Sequence, residues 1–369
     1  MTCPYMCYCG LMCKCGCLPH LAYNSSIDMQ EKTTKNNTII YILLLGAAET
    51  GKSTMMRQMK IIEGNGMSPQ SLRSYKNYVL LNLFNCVNKL IEAVIESNLG
   101  WKTKESTDAA TILGDLTKER WNLHKLENDP HIPVNHAQLI ENIWYDNSAQ
   151  ECWNKANEYN LPDSLAYYLN SAKRICQHGY VPSQEDVLRL RIPTESQTMN
   201  DFTLGNLTLR ITDVGGQKGQ RRRWMRLFDD LNTVIFLASL SEYDQYWKTS
   251  EEDENINRLE LSLQLFKETI GYRGFDKTCI ILFLNKTDVL QQKVQSSDIR
   301  RYFPDYEGPY RDAKNVTKFI KSKFITMGDE QNKLIYDHET CATDTSRTKY
   351  VFTAVKDNIL FENLKTILS

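Results

Sequence analysis

Residues 46–53 of this 369-residue chain read GAAETGKS, which has the Gly-x-x-x-x-Gly-Lys-Ser spacing of a phosphate-binding loop. Glycines let a backbone curl so that successive N–H groups point inward at an anion, and the N-terminus of a following helix adds its positive dipole end. Lys52 can reach the β- and γ-phosphates of a nucleotide, and the Ser53 hydroxyl can bind Mg²⁺. The alternative is a chance match, but the apolar segment before the loop and the helix-forming segment after it favour nucleotide binding.

Two shorter motifs downstream would complete such a site. Asp213-x-x-Gly216 offers a carboxylate that can hold Mg²⁺ through water and an N–H that can meet a γ-phosphate, although alone it is also compatible with a plain turn. Residues 285–288 read NKTD after an apolar run, and Asp288 could accept hydrogen bonds from guanine N1 and N2, which would select GTP over ATP. Four polar residues at a strand end are otherwise an ordinary turn. The order of the three motifs leaves little room for chance.

The elements that must position these motifs are visible around them. Residues 39–45 are apolar and partly β-branched, which predicts a buried strand before the loop, and residues 55–62 predict a helix that is closed by Gly64-Asn65-Gly66. A Gly205-Asn206 turn predicts a hairpin that runs straight into Asp213. The remaining predicted strands lie at 199–204, 207–213, 233–240, 277–285 and 333–343, and a closing helix lies at 347–368.

Between the first helix and the hairpin, the chain changes character. Segments 71–98, 136–157 and 163–177 carry apolar residues at three- and four-residue spacing, with no competing strand alternation. This pattern predicts an all-helical insert within a nucleotide-binding α/β domain. The predicted organisation is a tail at 1–37, an α/β domain formed by 38–64 and 185–369, and an insert at 65–184.

Composition limits the class of protein. The chain is 41% hydrophobic and 24% charged with a formal net charge of −1, which is typical of a soluble globular protein and gives no support for broad nucleic-acid binding. No apolar run is expected to reach the length of a membrane span, and no basic segment followed by an apolar core indicates a secretory signal.

Cysteines concentrate in the predicted tail. Six of the eleven lie in the first seventeen residues, at 3, 7, 9, 13, 15 and 17. S-acylation at Cys3, Cys7 and Cys9 would anchor the chain to a membrane. The alternatives are ligation of a soft metal and a reduced, disordered tail. N-myristoylation is not expected, because Thr2 stands where a glycine is required.

From about residue 40 to its end, the chain closely resembles the alpha subunits of heterotrimeric G proteins. The resemblance rests on GAAETGKST at 46–54, DSLAYYLNSAKRI at 163–175, DVLRLRIPT at 186–194, DVGGQ at 213–217, NKTD at 285–288 and TCATDT at 340–345. It implies an α/β fold: a Ras-like P-loop GTPase domain, with a mostly parallel six-stranded sheet flanked by helices, and an inserted all-helical domain.

The resemblance also implies residue roles. Arg191 resembles a built-in arginine finger, which contributes on the order of 10³ to 10⁵ in rate, and Gln217 resembles the residue that orients the attacking water. Taken alone, Arg191 would be a surface arginine. Ser53 and Thr194 would bind Mg²⁺, with Asp213 acting through water. The implied nucleotide contacts are Glu49, Thr50, Gly51, Lys52, Ser53, Thr54, Asp163, Ser164, Leu188, Arg189, Arg191, Thr194, Asp213, Gly216, Gln217, Asn285, Lys286, Asp288, Cys341, Ala342 and Thr343.

One departure from the family lies inside the phosphate-binding loop. Ala48 stands where the family usually has glycine. Its methyl group would point toward the space that Gln217 and Arg191 need around a γ-phosphate. This predicts that GTP still binds but that hydrolysis is slowed.

A second departure lies in the segment after Asp213. Gln220 stands where an acidic residue is common, and Leu261 stands where the family has a glutamate that pairs with the arginine matched by Arg221. Neighbouring Glu260 could substitute in part. The loss predicts weaker coupling between γ-phosphate sensing and ordering of this switch segment. Fluorescence of Trp224 would report that ordering.

The resemblance implies partners and a location. These are a G protein beta-gamma dimer, a G protein-coupled receptor acting on the C-terminal helix, an effector, and the cytoplasmic face of the plasma membrane through an acylated N-terminus. Residues 195–197 read Glu-Ser-Gln in place of the usual Thr-Gly-Ile, and a weak N-terminal helix at 18–37 makes beta-gamma binding less secure than GTP binding. Two competing functions are a hydrolysis-poor GTP-binding scaffold, motivated by Ala48 and Leu261, and an ATP-dependent P-loop kinase, disfavoured by NKTD.

Overall fold

A computed structural model of the chain describes residues 38–118, 135–192, 198–204, 207–214, 231–247 and 256–368. The strands are β1 (Thr38–Leu45), β2 (Thr198–Leu204), β3 (Leu207–Asp213), β4 (Thr233–Ser239), β5 (Tyr246–Trp247), β6 (Ile256–Asn257), β7 (Cys279–Asn285) and β8 (Ile335–Glu339). The helices are α1 (Lys52–Glu63), α2 (Pro69–Ser74), α3 (Lys76–Glu96), α4 (Lys104–Lys118), α5 (Asn135–Trp144), α6 (Asn147–Asn154), α7 (Leu165–Asn170), α8 (Ala172–Ile175), α9 (Gln184–Leu188), α10 (Arg258–Ile270), α11 (Thr287–Lys293), α12 (Ala313–Glu330) and α13 (Thr345–Leu368).

Six strands form one sheet in the order β2-β3-β1-β4-β7-β8, and a small β5-β6 ribbon stands apart from it. Strands β2 and β3 pair antiparallel, as the predicted hairpin requires, although its Gly205-Asn206 turn lies outside the described residues. Every other pairing in the large sheet is parallel. The mostly parallel six-stranded sheet is therefore confirmed.

Side-chain alternation explains why the sheet is buried on both faces. In β1, Ile40, Ile42 and Leu44 pack into a core with α1 and α13, whereas Leu43 and Leu45 pack into a second core with α10 and α12. Successive residues of a strand point to opposite faces, so a strand covered by helices on both sides must be apolar throughout. Strand β4 is buried at all seven positions for this reason.

The helical segment has a hydrophobic core of its own. This core draws on α3 to α9, with Leu83, Leu113, Ile140 and Tyr168 at its centre, all with no more than 1% exposure. Its separate cluster agrees with an all-helical insert, whereas the boundaries at 64/65 and 184/185 stay a prediction.

Helix α3 corrects one expectation. By length and composition alone, Lys76–Glu96 could cross a membrane, so the expectation that no apolar run reaches that length was wrong. In the structure 61% of its most apolar window is buried, and the core helix of a soluble protein passes the same test. The apolar residues of α3 supply the core of the insert.

Parallel strands place the motifs together. The loops that follow β1, β3, β4, β7 and β8 all leave from the carboxyl edge of the sheet. Between β3 and β4, which flank β1 on opposite sides, connections diverge and leave a crevice. The predicted last strand is shorter than expected, because it ends at Glu339 and residues 340–344 turn back over this crevice before α13 begins.

Candidate nucleotide-binding site

The phosphate-binding loop needs its glycines where the motif puts them. Gly46 and Gly51 have φ values of 139° and 104°, in the left-handed region. A Cβ at Gly46 would lie 2.3 Å from the Leu237 carbonyl oxygen, and one at Gly51 would lie 2.3 Å from Asn285 Nδ2. Glu49 also has a positive φ, of 68°. A non-glycine residue is uncommon in that region and such conformations cluster at ligand sites.

Lys52 is the first residue of α1 and its ammonium lies within the loop. Its Nζ donates to the carbonyl oxygens of Gly46 at 2.9 Å and Ala47 at 2.7 Å, and the residue is only 5% exposed. The loop therefore holds a positive charge beside the N-terminus of a helix, where an anion is stabilised. Thr50 closes the loop by donating its hydroxyl hydrogen to the Ala47 carbonyl.

Ser53 and Asp213 meet beside this charge. Ser53 Oγ lies 3.5 Å from Asp213 Oδ2. Among the residues that the structure describes, the buried Asp213 Oδ1 has no hydrogen-bond partner. Burial raises the pKa of Asp213 to about 6, against the opposing effects of Lys52 and Ser53. An unsatisfied carboxylate oxygen beside a hydroxyl fits Mg²⁺, which prefers oxygen ligands and retains several waters.

Asn285 links three loops rather than projecting into open space. Its Nδ2 donates to the Thr50 carbonyl at 2.8 Å, and its Oδ1 accepts from the Thr340 hydroxyl and the Ala342 N–H, both at 3.1 Å. It is 1% exposed. The resemblance counts Asn285 among the nucleotide contacts, and these bonds also make it a brace that fixes the loops on which Asp288 and Thr343 stand.

The far side of this pocket is formed by residues 340–343. Cys341 Sγ lies 3.3 Å from the Thr343 hydroxyl. Burial and nearby Asp288 raise the pKa of the Cys341 thiol, although the Thr343 hydroxyl opposes the shift. The thiol is therefore neutral at physiological pH. Its proximity to Asp288 brings the NKTD and TCAT motifs together, as the sequence predicts.

Arg191 pairs with the phosphate-binding loop. Its guanidinium forms an ion pair with Glu49. Arg258 contacts the same carboxylate at 3.2 Å, donates to the Ala48 carbonyl at 3.2 Å, and pairs with buried Glu242 at 3.0 Å. Glu49 is thus shared between two arginines, and it stays paired if Arg191 moves away.

The insert reaches the guanine side of the cleft at one ion pair. Lys286 Nζ lies 2.8 Å from Asp163 Oδ2 and 3.6 Å from Glu242 Oε1. Burial opposes ionisation of Asp163, but the charges of Lys286, Lys293 and Arg258 together with the Lys286 hydrogen bond hold the pKa of Asp163 below its usual value. Lys286 has a φ of 64° and is the residue directly before α11. Ser164 follows Asp163 and stands at the start of α7.

The linker leading to Arg191 is held from α1. Arg57 Nη1 donates to the carbonyls of Val187 at 3.2 Å and Leu190 at 2.9 Å, and Thr54 Oγ1 donates to that of Leu188 at 3.2 Å. Leu188 therefore contributes backbone to this wall of the cleft.

Arg189, which follows in the linker, makes its contacts with the helical segment. Its guanidinium lies 4.6 Å from the ring centroid of Tyr167 and 3.1 Å from Glu185 Oε1. The described contacts thus assign no phosphate to Arg189, which the sequence had counted among the nucleotide-binding residues.

Asp186 is the buried charge of this linker. Arg174 donates to both of its oxygens, at 2.7 and 2.8 Å, and the hydroxyls of Tyr167 and Tyr180 donate at 2.8 and 2.7 Å. Ser183 completes a capping box with it at the start of α9. Burial opposes ionisation, but the Arg174 hydrogen bonds and the other donors hold the pKa of Asp186 well below its usual range.

Several predicted residues lie outside the described part of the chain. They are Cys3, Cys7, Cys9, Thr194, Glu195, Ser196, Gln197, Gly216, Gln217, Gln220, Arg221 and Trp224. Their roles stay predictions. Of the residues tied to that switch segment, Leu261 packs against the core beneath α10, and Glu260 is exposed.

Three residues of the site were missed by the sequence reasoning. Arg57, Asp186 and Arg258 each carry charge, and the first two are at most 8% exposed. A signal existed for Arg57, because it interrupts an apolar helix stretch, and for Asp186, because Ser183 precedes it at capping-box spacing. The partners of Arg57 lie 130 to 133 residues away, so that pairing could not be read from the sequence, whereas the partners of Asp186 lie within 19 residues.

A comparison with known families agrees with this geometry. The family model described as G-protein alpha subunit matches residues 22–359. The match spans the phosphate-binding loop, the helical insert and the NKTD and TCAT loops, all of which the sheet edge and the linker bring to one cleft. The chain therefore belongs to the G-protein alpha subunit family.

Proposed function

We propose that this chain binds GTP and GDP with Mg²⁺, hydrolyses GTP, and works as a signalling switch. Proteins of the G-protein alpha subunit family bind guanine nucleotides, generally with Mg²⁺, and are generally GTPases. The observation that carries the proposal is the arrangement of Lys52, Asp213 and Asn285 around one crevice. The buried Lys52 ammonium suits the phosphates, the unsatisfied Asp213 carboxylate suits Mg²⁺, and the loop fixed by Asn285 suits the guanine base.

The residues of the cleft account for the chemistry as follows. Lys52 and the helix N-terminus bind the phosphates, and Asp288 selects guanine. Bound Mg²⁺, held by Ser53 with Asp213 and Thr194, would neutralise charge on the β- and γ-phosphates. Arg191 exchanges its Glu49 partner for the developing phosphate charge, while Arg258 keeps Glu49 in place. Gln217 orients the attacking water.

Switching requires a connection from the nucleotide to a partner surface. Gln58 of α1 donates to the Ala342 carbonyl and accepts from the Thr345 hydroxyl, both at 3.1 Å, at the first residue of α13. Displacement of α13 would therefore disturb the loop that lines the base. This supports a receptor acting on the C-terminal helix to release GDP.

Family members generally partner with beta-gamma dimers, receptors and effectors, and they typically sit at the cytoplasmic face of the membrane. For this chain, we assign the membrane contact to S-acylation within Cys3, Cys7 and Cys9. Hydroxylamine-sensitive labelling with a palmitate analogue would test the assignment, and labelling that persists after all three are changed to serine would contradict it.

The proposed activity is tested by GTPγS binding and by single-turnover GTP hydrolysis on the purified full-length chain. We expect tight, Mg²⁺-dependent GTPγS binding that excess ATP does not displace, followed by release of phosphate from GTP. Displacement by ATP would instead indicate the P-loop kinase. Beta-gamma pull-down with GDP-loaded protein follows as the test of that partner.

A hydrolysis-poor GTP-binding scaffold is the second candidate, and Ala48 and Leu261 favour it. Leu261 is partly buried against the apolar core, and its side chain has no charge to pair with Arg221. Under this alternative GTPγS would bind as tightly, but single-turnover hydrolysis would barely exceed the rate of the Arg191→Ala variant. Measured turnover separates the two functions.

A further inference from the structure

We infer that Asn82, a residue of the helical segment, positions the arginine finger Arg191, so that this segment takes part in hydrolysis rather than only covering the nucleotide. The inference rests on the proposed GTPase function and adds to it a residue that never touches the nucleotide. Asn82 lies on α3, 109 residues before Arg191 in sequence.

The contact is a two-point grip on the backbone of the finger. Asn82 Oδ1 accepts from the Arg191 N–H at 3.0 Å, and Asn82 Nδ2 donates to the Arg191 carbonyl at 3.3 Å. An N–H can only donate and a carbonyl can only accept, so this pairing fixes the orientation of the amide. Nδ2 also lies 3.1 Å from the Tyr78 carbonyl, which ties the amide to its own helix.

The identity of residue 82 is otherwise difficult to explain. Helix α3 has eleven buried residues, and the other ten are apolar. Asparagine is a weak helix former, and an amide buried without hydrogen bonds is costly. Asn82 is 6% exposed, and its amide is satisfied chiefly by Arg191. A leucine would suit the helix and its core better, so the asparagine is explained by the bonds that it makes to the finger.

The hydrogen bonds of Asn82 continue along the linker from those of Arg57. Arg57 holds the carbonyls of Val187, Leu188 and Leu190 from the side of α1. Asn82 takes the next residue, Arg191, from the side of the insert. The backbone of the finger is thus fixed from two directions, whereas its guanidinium is half exposed and paired only through its tip with Glu49. A long side chain can exchange one partner for another reproducibly only if its origin is held.

This assignment separates two effects of the helical segment. Contacts such as Lys286 with Asp163 close the cleft and would affect nucleotide release. Beyond its own helix, the Asn82 amide bonds the backbone of Arg191, so its loss would affect the hydrolysis step and leave nucleotide affinity nearly unchanged. Asn82 is therefore a positioning residue that acts through Arg191.

The test uses four full-length variants. They are Asn82→Leu, which keeps the number of side-chain heavy atoms and their branching but removes the amide; Asn85→Leu, the same change on an exposed position of the same helix; Arg191→Ala; and the Asn82→Leu/Arg191→Ala double variant. We expect Asn82→Leu to slow single-turnover GTP hydrolysis by about 10- to 100-fold, as expected for a reacting group misplaced by about 1 Å. GTPγS affinity should stay within about twofold of the unaltered chain, and Asn85→Leu should change neither value.

The hydrolysis rate of the double variant distinguishes a role through Arg191 from a role in folding alone. If Asn82 acts through Arg191, the double variant hydrolyses GTP no more slowly than Arg191→Ala alone. The inference is overturned if Asn82→Leu hydrolyses GTP at the unaltered rate, or if it slows the Arg191→Ala background by the same factor. If Asn82→Leu does not bind GTPγS, the same comparison is made with Asn82→Asp, which keeps the shape and the acceptor. A chain that binds GTPγS but shows no arginine-dependent turnover overturns the proposed GTPase function itself.

Discussion

The two walls of the nucleotide cleft are built in different ways. The phosphate wall, residues 46–53, is held largely by bonds within itself, because Thr50 bonds a carbonyl three residues away and Lys52 bonds carbonyls five and six residues away. Asn285 and Arg258 add bonds from distant parts of the chain to the Thr50 and Ala48 carbonyls. The linker wall, residues 186–191, is held on its α1 side by Arg57, whose bonds span 130 to 133 residues of sequence. Bonds within the loop therefore support most of the first wall, whereas the second wall depends on Arg57 of α1 together with the nearby partners of Asp186.

This difference has energetic consequences. The phosphate wall depends on conformations that glycine allows and on one cation, so its mutations should chiefly affect ligand binding. The linker wall depends on a buried carboxylate and on buried hydrogen bonds, so its mutations should chiefly affect folding of that region. Leaving one member of a charge pair without its partner is expensive in a buried site, whereas removing the Lys52 side chain leaves two backbone carbonyls without their donor.

The largest expected effect is on the linker wall. Asp186→Asn leaves Arg174 without its carboxylate partner in a site where Asp186 has no exposure. Arg174 keeps 43% side-chain exposure, so water can replace part of its lost contact, but the substitution also weakens the hydrogen bonds from Tyr167 and Tyr180. A hydrogen bond to a charged group contributes about 1.5–3 kcal/mol, and we expect the free energy of unfolding of the helical segment to fall by about 3 kcal/mol. Hydrogen exchange of backbone amides in α7 and α9, with urea denaturation, would measure it.

Asp201→Asn is the matched control, because Asp201 pairs with Arg210 at 2.7 Å on the partly exposed hairpin. A surface pair contributes about 0–1 kcal/mol. If Asp186→Asn and Asp201→Asn lower the free energy of unfolding equally, the buried Asp186 does not support the linker wall more than a surface pair would.

The same carboxylate predicts a pH dependence. Because the pKa of Asp186 is lowered in the folded state, its stabilising contribution is complete above the unfolded pKa of about 3.9 and is lost as pH falls through the folded value. Between about pH 5 and 3, protection of α7 and α9 from hydrogen exchange should fall less steeply in Asp186→Asn than in the unaltered chain. Parallel profiles for the two proteins would show that other carboxylates control acid unfolding.

The phosphate wall is tested by Lys52→Ala. A hydrogen bond to a charged group contributes about 1.5–3 kcal/mol, so we expect GTPγS affinity to fall by roughly 10- to 150-fold. The thermal midpoint of the nucleotide-free protein should move less than in Asp186→Asn, because the substitution removes the buried charge itself and leaves no opposite charge unpaired. Lys60→Ala, at an exposed position of the same helix, should leave GTPγS affinity unchanged. A stability loss larger than the affinity loss would reverse the contrast.

The same division explains what could be predicted from the sequence. The order of strands, loop and helix around Gly46 and Gly51 depends on neighbours in the chain, so the sheet edge and the phosphate wall follow from local pattern. The role of Asn285 did not follow, because its bond to Thr50 spans 235 residues. The motif assigns Asn285 to the ligand, but it does not reveal that the same amide bonds the Thr50 carbonyl, the Thr340 hydroxyl and the Ala342 N–H.

Helix α3 teaches a related point. Periodicity correctly predicts the helix, but the polar residue within its apolar face has no readable partner until the linker folds against it. Asn82 and Arg57 are both polar residues in apolar stretches, and both turn out to hold the same linker. A polar residue within an apolar helix face thus indicates that its side chain has a hydrogen-bond partner, but the sequence does not identify that partner.

A smaller effect is expected at Ala48, where the phosphate wall departs from its family. Ala48 lies outside the left-handed region, so its backbone does not need glycine. Ala48 therefore differs from the usual glycine only by its methyl group. We expect Ala48→Gly to raise the rate of single-turnover hydrolysis by about tenfold, which corresponds to about 1.4 kcal/mol of barrier. Ala47→Gly controls for loop flexibility, because Ala47 packs into the core beneath the loop. Equal rates for Ala48→Gly and the unaltered chain would remove the steric explanation.

The smallest effect is expected where the insert meets the guanine side of the cleft. The Lys286–Asp163 pair retains 19% and 27% side-chain exposure, so water screens it, and a pair of this kind contributes about 0.2–1 kcal/mol. Asp163→Asn should therefore speed spontaneous release of a fluorescent GDP analogue by no more than about fivefold, with hydrolysis unchanged. Asp108→Asn, at an exposed position of α4, is the control. If release accelerates by orders of magnitude, this pair, and not the buried linker, is the main support that keeps the insert on the nucleotide.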